Sequence, residues 1–300
     1  MYFTGNSPVI IVAVKLIIFA SRSEATIDLF EEACRRYGVS LKVIFFDEMS
    51  CVDGKLFYKG VKLSLDCDKF IIRWPWNAYE LREDYNVYVQ ELLEYRDKVF
   101  LDYKCLLQYS PFYEDKLFQS FIFKKLGVNF PNTYHFSKID DASILLFPLI
   151  VKKRVASRWR NNFVINNYEE LKKKLDELYI GDFIFQPFLE IARDIRVMVY
   201  KGKVVATVEK DVIHEGEGVV RVKYTQEIEI GDKKVLDDSV RVAEHLGADL
   251  VGVDVLELKD GSYTFLEANL SPQFSALKRS TGKDVADLII RDLVSKSEAE

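Results

Sequence analysis

Gly252-Val253-Asp254-Val255-Leu256, the turn Asp260-Gly261, and Thr264-Phe265-Leu266-Glu267-Ala268-Asn269-Leu270-Ser271-Pro272 make up the most informative stretch of the chain. Two apolar runs on either side of an Asp-Gly turn read as adjacent antiparallel strands, Gly252–Leu258 and Tyr263–Asn269. The two-residue period of a strand puts Glu267 and Asn269 on one face, and Asp254 can approach them across the hairpin. Two carboxylates and an amide oxygen form a hard donor set suited to magnesium or manganese, ions that keep waters and share themselves with phosphates. The competing reading is a solvated strand carrying acids by chance. The apolar neighbours Val253, Val255, Phe265 and Leu266 weigh against it, because unpaired charge beside a buried face is costly.

Upstream of this hairpin the chain changes texture twice. The first third alternates strand and helix: an apolar β-branched run at 12–19, a helix over Ser23–Tyr37 stopped by Gly38, and a strand at Leu41–Phe46. A hairpin follows around Lys59-Gly60, then a strand at Lys69–Arg73. That order predicts an open parallel sheet with helices on its faces. The middle predicts a helix at Lys116–Leu126 closed by Gly127, strands at Leu149–Lys153 and Phe163–Ile165, a charged helix at Tyr168–Leu178 and a strand at Asp182–Gln186. The last third predicts strands at Ile195–Tyr200 and Val204–Glu209, a helix at Val235–Leu246, the hairpin above and a closing helix at Asp284–Ser295. The expected division is 1–110, 111–188 and 189–300.

Composition narrows the function classes. Lys+Arg is 42 and Asp+Glu 47, a net charge of −5, so there is no global electrostatic reason to seek nucleic acid or an anionic membrane. With 49% hydrophobic residues in 300, the chain can bury a sizeable core in two or three subdomains. Cys34, Cys51, Cys67 and Cys105 form no Cys-x-x-Cys pair, which argues against zinc, iron–sulfur and a disulfide framework. The longest apolar stretch, 8–20, is interrupted by Lys15 and is too short to span a bilayer. No basic segment precedes it, so no signal peptide is expected. A cytoplasmic enzyme or binding protein is the expectation.

Several further segments carry a resemblance: Asp115-Lys116 before a helix, Pro131-x-Thr133, Phe147-Pro-Leu-Ile-Val-Lys152, Phe185-Gln186-Pro187-Phe188-Leu189, Asp194-Ile-Arg196 and Ser280-Thr281-Gly282-Lys283-Asp284. Together with the Gly252 and Glu267 motifs, and in this order, they resemble the ATP-grasp superfamily. They are most similar to its RimK/LysX-type amino-acid ligases, from about residue 110 to 290. The resemblance implies an α/β and α+β architecture: an N-terminal open parallel-sheet domain, with an Arg ending a strand at Arg73, then two α+β subdomains clasping ATP.

It also implies roles. Gln186, Pro187, Phe188 and Leu189 would read adenine with backbone atoms, the Pro187 carbonyl accepting and the Leu189 N–H donating. Asp194 would accept from the ribose hydroxyls. Lys116 and Lys152 would turn to the triphosphate as point cations. Asp254, Glu267 and Asn269 would hold Mg2+ or Mn2+, two ions being typical. Arg196 would bind an acyl phosphate or a substrate carboxylate, with Lys210 and Arg221 as weaker candidates for the same task. The implied reaction is ATP-dependent ligation of a carboxylate to an amine through an acyl phosphate. It would add an amino acid such as glutamate to a carboxylate-bearing acceptor (protein, peptide or small molecule). A non-catalytic ATP-binding protein and an ATP-grasp kinase are the alternatives, and a homo-oligomer is compatible with all three.

Two departures from the family pattern stand out. The loop Arg154-Val-Ala-Ser-Arg158-Trp-Arg160-Asn161-Asn162-Phe163 contains no glycine where relatives fold a glycine-rich loop over the phosphates. Its arginines could replace backbone N–H donors by charge, or the loop could have ceased to cover ATP; both readings stay open. After Lys210 the expected Asn is missing from Arg221-Val-Lys-Tyr224, so the acceptor cannot be transferred from relatives. His135, His214 and His245 stand alone. Trp74 and Trp76 could line the acceptor side but more often serve packing, and Lys172-Lys173-Lys174 reads as a solvated helix face.

Overall fold

Ile17 and Phe19 enter one core layer and Leu16, Ile18 and Ala20 another, so β1 (Lys15–Ala20) is buried on both faces. The computed structural model describes residues 14–20, 25–73, 83–109, 115–155, 162–175, 179–215 and 219–297. α1 (Ala25–Tyr37) buries Ile27, Phe30, Ala33 and Cys34 in the second layer and leads to β2 (Ser40–Phe45), parallel to β1. Its expected start, Ser23, lies outside the described residues.

The hairpin around Lys59-Gly60 proves to be three antiparallel strands: β3 (Met49–Val52), β4 (Lys55–Tyr58) and β5 (Val61–Lys62). β3 exposes Ser50, Cys51 and Val52 in succession, which leaves no alternation to read. β6 (Lys69–Ile72) takes the other side of β1, again parallel, for the order β2-β1-β6. α2 (Glu83–Leu93) and α3 (Tyr103–Tyr109) add to the expected elements and cover the Phe19 side. Tyr85, Val89, Leu92 and Leu93 do follow helical spacing, whereas α3, at seven residues, is too short for a periodic signal.

α4 (Lys116–Leu126) begins where Asp115 caps it, accepting from the Leu117 and Phe118 N–H groups at 2.9 and 3.3 Å. It ends at Gly127, whose φ of 65° is left-handed and suits a residue without Cβ. β7 (Leu149–Lys153), β8 (Asn162–Ile165), α5 (Tyr168–Leu175) and β9 (Phe183–Pro187) make the central unit, with β7 antiparallel between its two neighbours. Leu149, Val151, Ile165, Phe183 and Phe185 share a core with Leu171 and Leu175 of α5. Alternation then leaves Ile150 and Lys152 on the opposite face.

β10 (Ile191–Tyr200), β11 (Lys203–Glu215) and β12 (Val219–Glu227) precede α6 (Lys233–Leu246), and β13 (Leu250–Leu258) and β14 (Tyr263–Asn269) follow it. α7 (Ser275–Thr281) and α8 (Val285–Ser297) close the chain. The five strands form one antiparallel sheet in the order β12-β11-β10-β13-β14. β12 was not among the expected strands, and β11 runs on past Glu209 to pair with it.

One face of the sheet, with Ile195, Val197, Val253 and Val255, lies in a layer with Val235, Val242 and Leu246 of α6. The other face, with Met198, Tyr200 and Val208, lies in a layer with Phe274, Leu277 and Ile289. Both layers continue into the first sheet, while the central unit keeps its own core. No helix among the described residues is long and apolar enough to cross a membrane. Cys34, Cys67 and Cys105 are buried, Cys51 is exposed, and all four are free thiols.

Candidate active site

The even positions of β10 are apolar at Met198 and Tyr200 but charged at Arg196 and Asp194, so one sheet face changes character along its length. β13 and β11 place Asp254 and Lys210 beside them, through the pairings Arg196↔Asp254 and Asp194↔Lys210. The result is a buried charge cluster. Arg196 donates from Nε to Asp254 Oδ1 at 2.7 Å and from Nη2 to Oδ2 at 2.8 Å, a bidentate pair. Its Nη1 donates to the Tyr224 hydroxyl at 2.8 Å. Lys210 Nζ lies 2.9 Å from Asp254 Oδ2 and 2.8 Å from Asp194 Oδ1, an ion pair with each.

These contacts set the protonation states. Burial would raise the Asp254 carboxyl, but Arg196 and Lys210 outweigh it and hold the group at about 2. Burial, only partly offset by Lys210, lifts Asp194 to about 6. Gly252 makes room for this arrangement: a Cβ there would sit 3.1 Å from both Arg196 Cδ and Pro272 Cβ.

β14 pairs Glu267 with Asp254 and Asn269 with Gly252, so Asp254 does approach that face; a register shift between Asp254 and Val255 sets this alignment. Lys116, the first residue of α4, brings Nζ to 3.8 Å from Glu267 Oε2. Lys152 projects from the face of β7 opposite the central core, where it is buried, and donates to Gln186 Oε1 at 2.9 Å, while Gln186 Nε2 donates to Thr133 Oγ1 at 2.8 Å. Burial pulls the Lys152 ammonium down to about 8; Glu267 and Asp194 resist this and Lys116 adds to it. Lys116, Lys152, Glu267 and Asp194 therefore share one electrostatic neighbourhood between the central sheet and the five-stranded sheet.

The residues expected to read adenine lie where β9 ends. Phe188 N–H donates to Pro148 O at 3.1 Å, which carries the β7–β9 pairing one residue past the end of β9. Gln186 has a second task that backbone recognition does not suggest, namely holding Lys152. Arg221 pairs with Ile213 on the β11–β12 hairpin, three positions from Lys210; its side chain is outside the described residues. The residue opposite Lys210 is Tyr224, which the sequence hides because β12 is needed to find it. Arg154 is another residue the motifs leave out: its guanidinium pairs with Asp115 at 2.5 Å, and its carbonyl accepts the Lys116 N–H at 3.0 Å. Positions 156–161 of the glycine-free loop, and Trp74 and Trp76, lie outside the described residues.

The donor chemistry of the hairpin fits a hard divalent cation. Glu267 and Asn269 lie on one strand face and are partly exposed. Asp254 already accepts three contacts from Arg196 and Lys210. A carboxylate offers about four lone-pair directions, so it could lend one more oxygen contact at most. No three His, Cys, Asp or Glu side chains among the described residues could hold a metal by themselves. The amide of Asn269 and oxygens of a ligand would have to complete the shell.

Residues 115–293 match the RimK-like ATP-grasp domain family. Among curated proteins, the chain is 27% identical over 199 residues to a probable alpha-L-glutamate ligase of Parasynechococcus marenigrum, covering 61% of this chain and 41% of that protein. It is 28% identical over 183 residues to beta-citrylglutamate synthase B of Mus musculus, covering 54% and 45%. The match spans less than two thirds of such relatives' own length, 41% to 64% in the glutamate ligases of three bacteria. Two solved structures share the fold over nearly the whole chain. The ATP-grasp ligase PsnB complexed with a minimal precursor has a TM-score of 0.70 at 16% identity, covering 94% of this chain and 99% of that one. D-cycloserine synthetase DcsG has a TM-score of 0.69 at 17% identity, with the same coverage. With more than half its length matched by the family and an ATP-grasp fold throughout, this chain belongs to the RimK-like ATP-grasp family.

Proposed function

We propose that the protein is an ATP-dependent carboxylate–amine ligase, joining an amino acid such as glutamate to a carboxylate-bearing peptide, protein or small molecule through an acyl phosphate. The observation that carries this reading is the approach of Lys116, from the 111–188 segment, to 3.8 Å from Glu267 of the 189–300 segment, with the buried Lys152 feeling the charges of Lys116, Glu267 and Asp194. Names of relatives support it: a probable alpha-L-glutamate ligase, a citrylglutamate synthase and ATP-grasp ligases.

Each residue has a task in this reading. Pro187 and Leu189 bind the adenine edge, and Asp194 the ribose. Lys116 and Lys152 lie along the phosphates and neutralise charge there. Arg196 spends three of its five N–H donors on Asp254 and Tyr224, leaving two to hold an acid oxygen. The substrate carboxylate attacks the γ-phosphorus, ADP leaves, and an amine nitrogen then attacks the acyl carbon, releasing phosphate as the amine gives up a proton. No protein nucleophile is needed; positioning and fixed charge supply the catalysis. Magnesium held by Glu267 and Asn269, with Asp254 lending a contact, would add phosphate charge neutralisation.

The test is ADP release from ATP and magnesium across a matrix of acids and amines, glutamate first. A ligase releases ADP and phosphate only when an acid and an amine are both present, and the product gains one amide. ATP bound but never turned over with any pair would sink the reading in favour of a binding protein. A phosphorylated product without free phosphate would indicate a kinase.

A further inference from the structure

β14 is the outer strand of its sheet, so the backbone groups of Ala268 that face away from β13 need partners from outside the sheet. Gln119 supplies both. Its Oε1 accepts the Ala268 N–H at 2.8 Å and its Nε2 donates to the Ala268 carbonyl at 3.0 Å. One planar amide thus does for Ala268 what a sixth strand would do, and Gln119 is itself buried. Ala268 lies between Glu267 and Asn269, and Gln119 lies one helical turn after Lys116 on α4. The helix that brings a lysine to Glu267 also grips the backbone between the two proposed metal ligands.

We propose that Gln119 is a positioning residue for the metal site, setting the height of Glu267 and Asn269 against Lys116. The proposal rests on reading Glu267 and Asn269 as metal ligands. The chemistry is specific to an amide. Glu keeps the acceptor for the Ala268 N–H but loses the donor to the carbonyl, and sets a carboxylate oxygen against it. Leu fills similar space and leaves both backbone groups unpaired. The same strand edge is tied at its other end by Asn129, whose carbonyl accepts the Phe265 N–H at 2.8 Å and whose side chain donates to the Tyr263 carbonyl. Asn129 is therefore a built-in control for edge loosening that does not touch the ligands.

The experiment is calorimetric titration of ATP at stepped magnesium concentrations, repeated with manganese by electron paramagnetic resonance. It uses the full chain, Gln119→Leu, Gln119→Glu, Asn129→Ala and Glu267→Gln, with thermal unfolding of each. The expected result is a metal midpoint raised about tenfold in both Gln119 variants, the scale seen when partners of metal ligands are removed. Asn129→Ala is expected to lose stability with an unchanged midpoint. Should Gln119→Leu fail to fold, Gln119→Glu, which keeps one bond, decides alone. An unchanged midpoint in a folded Gln119 variant, or an equal shift in Asn129→Ala, overturns the proposal. If Glu267→Gln leaves the midpoint unmoved, or the wild type binds ATP without metal dependence, the ligand reading itself fails. A midpoint moved by Glu267→Gln but not by Gln119 variants sinks this inference alone.

Discussion

Lys152 is a buried cation whose surroundings disfavour its charge. Burial holds its ammonium near 8 instead of the ordinary value above 10. It is charged below that pH and neutral above it, so a phosphate ligand that requires the cation should bind less tightly as pH rises through about 8. The expected outcome is a Kd for ATP that increases by up to about tenfold between pH 7 and pH 9. Lys152→Met should bind more weakly at pH 7 and lose that slope. An identical slope in the variant would show that some other group titrates. Gln186 enters this argument too, since its amide oxygen is the polar partner that keeps a buried ammonium tolerable.

At the scale of the element, α4 ties the base of the 154–163 loop to the outer strand β14. Its cap Asp115 serves two N–H groups and also pairs with Arg154, so the helix start and the base of the 154–163 loop are one structure. Asp115→Ala removes the cap and the ion pair together. A lost cap costs about 1 kcal/mol, and the partly exposed Arg154 adds only about 0.5 kcal/mol more because solvent screens it. Asp115→Asn keeps an oxygen for the cap and loses only the charge. Unfolding measurements should therefore rank wild type above Asp115→Asn and Asp115→Asn above Asp115→Ala. Equal losses for the two variants would mean the ion pair, not the cap, carries the effect.

At the scale of the whole molecule, the segment that leads into α3 and the start of β13 are latched by two aspartates. Asp249 accepts the Asp102 N–H at 2.7 Å, and Asp102 accepts the N–H groups of Asp249 and Leu250 at 2.6 and 3.0 Å. Burial, with the Asp249 charge adding to it, lifts the Asp102 carboxyl to about 7. An acid whose pKa rises on folding binds more protons in the folded state between its two values. Stability contributed at this latch is thus greatest near pH 4 and falls as pH rises through 7. Asp102→Asn keeps an acceptor oxygen, tolerates the φ of 60° and carries no charge. The variant should gain on the wild type by a few kcal/mol at most, about 1–3 kcal/mol, between pH 5 and pH 8. Parallel Tm–pH curves for the two proteins would refute the latch.

Read alone, the residues locate β1 and β7 as short apolar runs, the β13–β14 hairpin around Asp260-Gly261, and α4 with its Gly127 stop. In each, the period and the terminating residue are local properties, independent of what packs against them. That reading also brings Asp254 within reach of Glu267, but their direct pairing comes from a register shift between Asp254 and Val255, without which Asp254 would lie opposite Leu266. The remaining contacts depend on neighbours far along the chain. Tyr224 reaches Arg196 because β12 joins the sheet, Gln119 reaches Ala268 across 149 residues, and Asp102 meets Asp249 where the start of α3 lies against the start of β13. Such contacts leave no periodic trace, because a polar side chain that completes another segment's hydrogen bonds looks, in sequence, like any solvated residue.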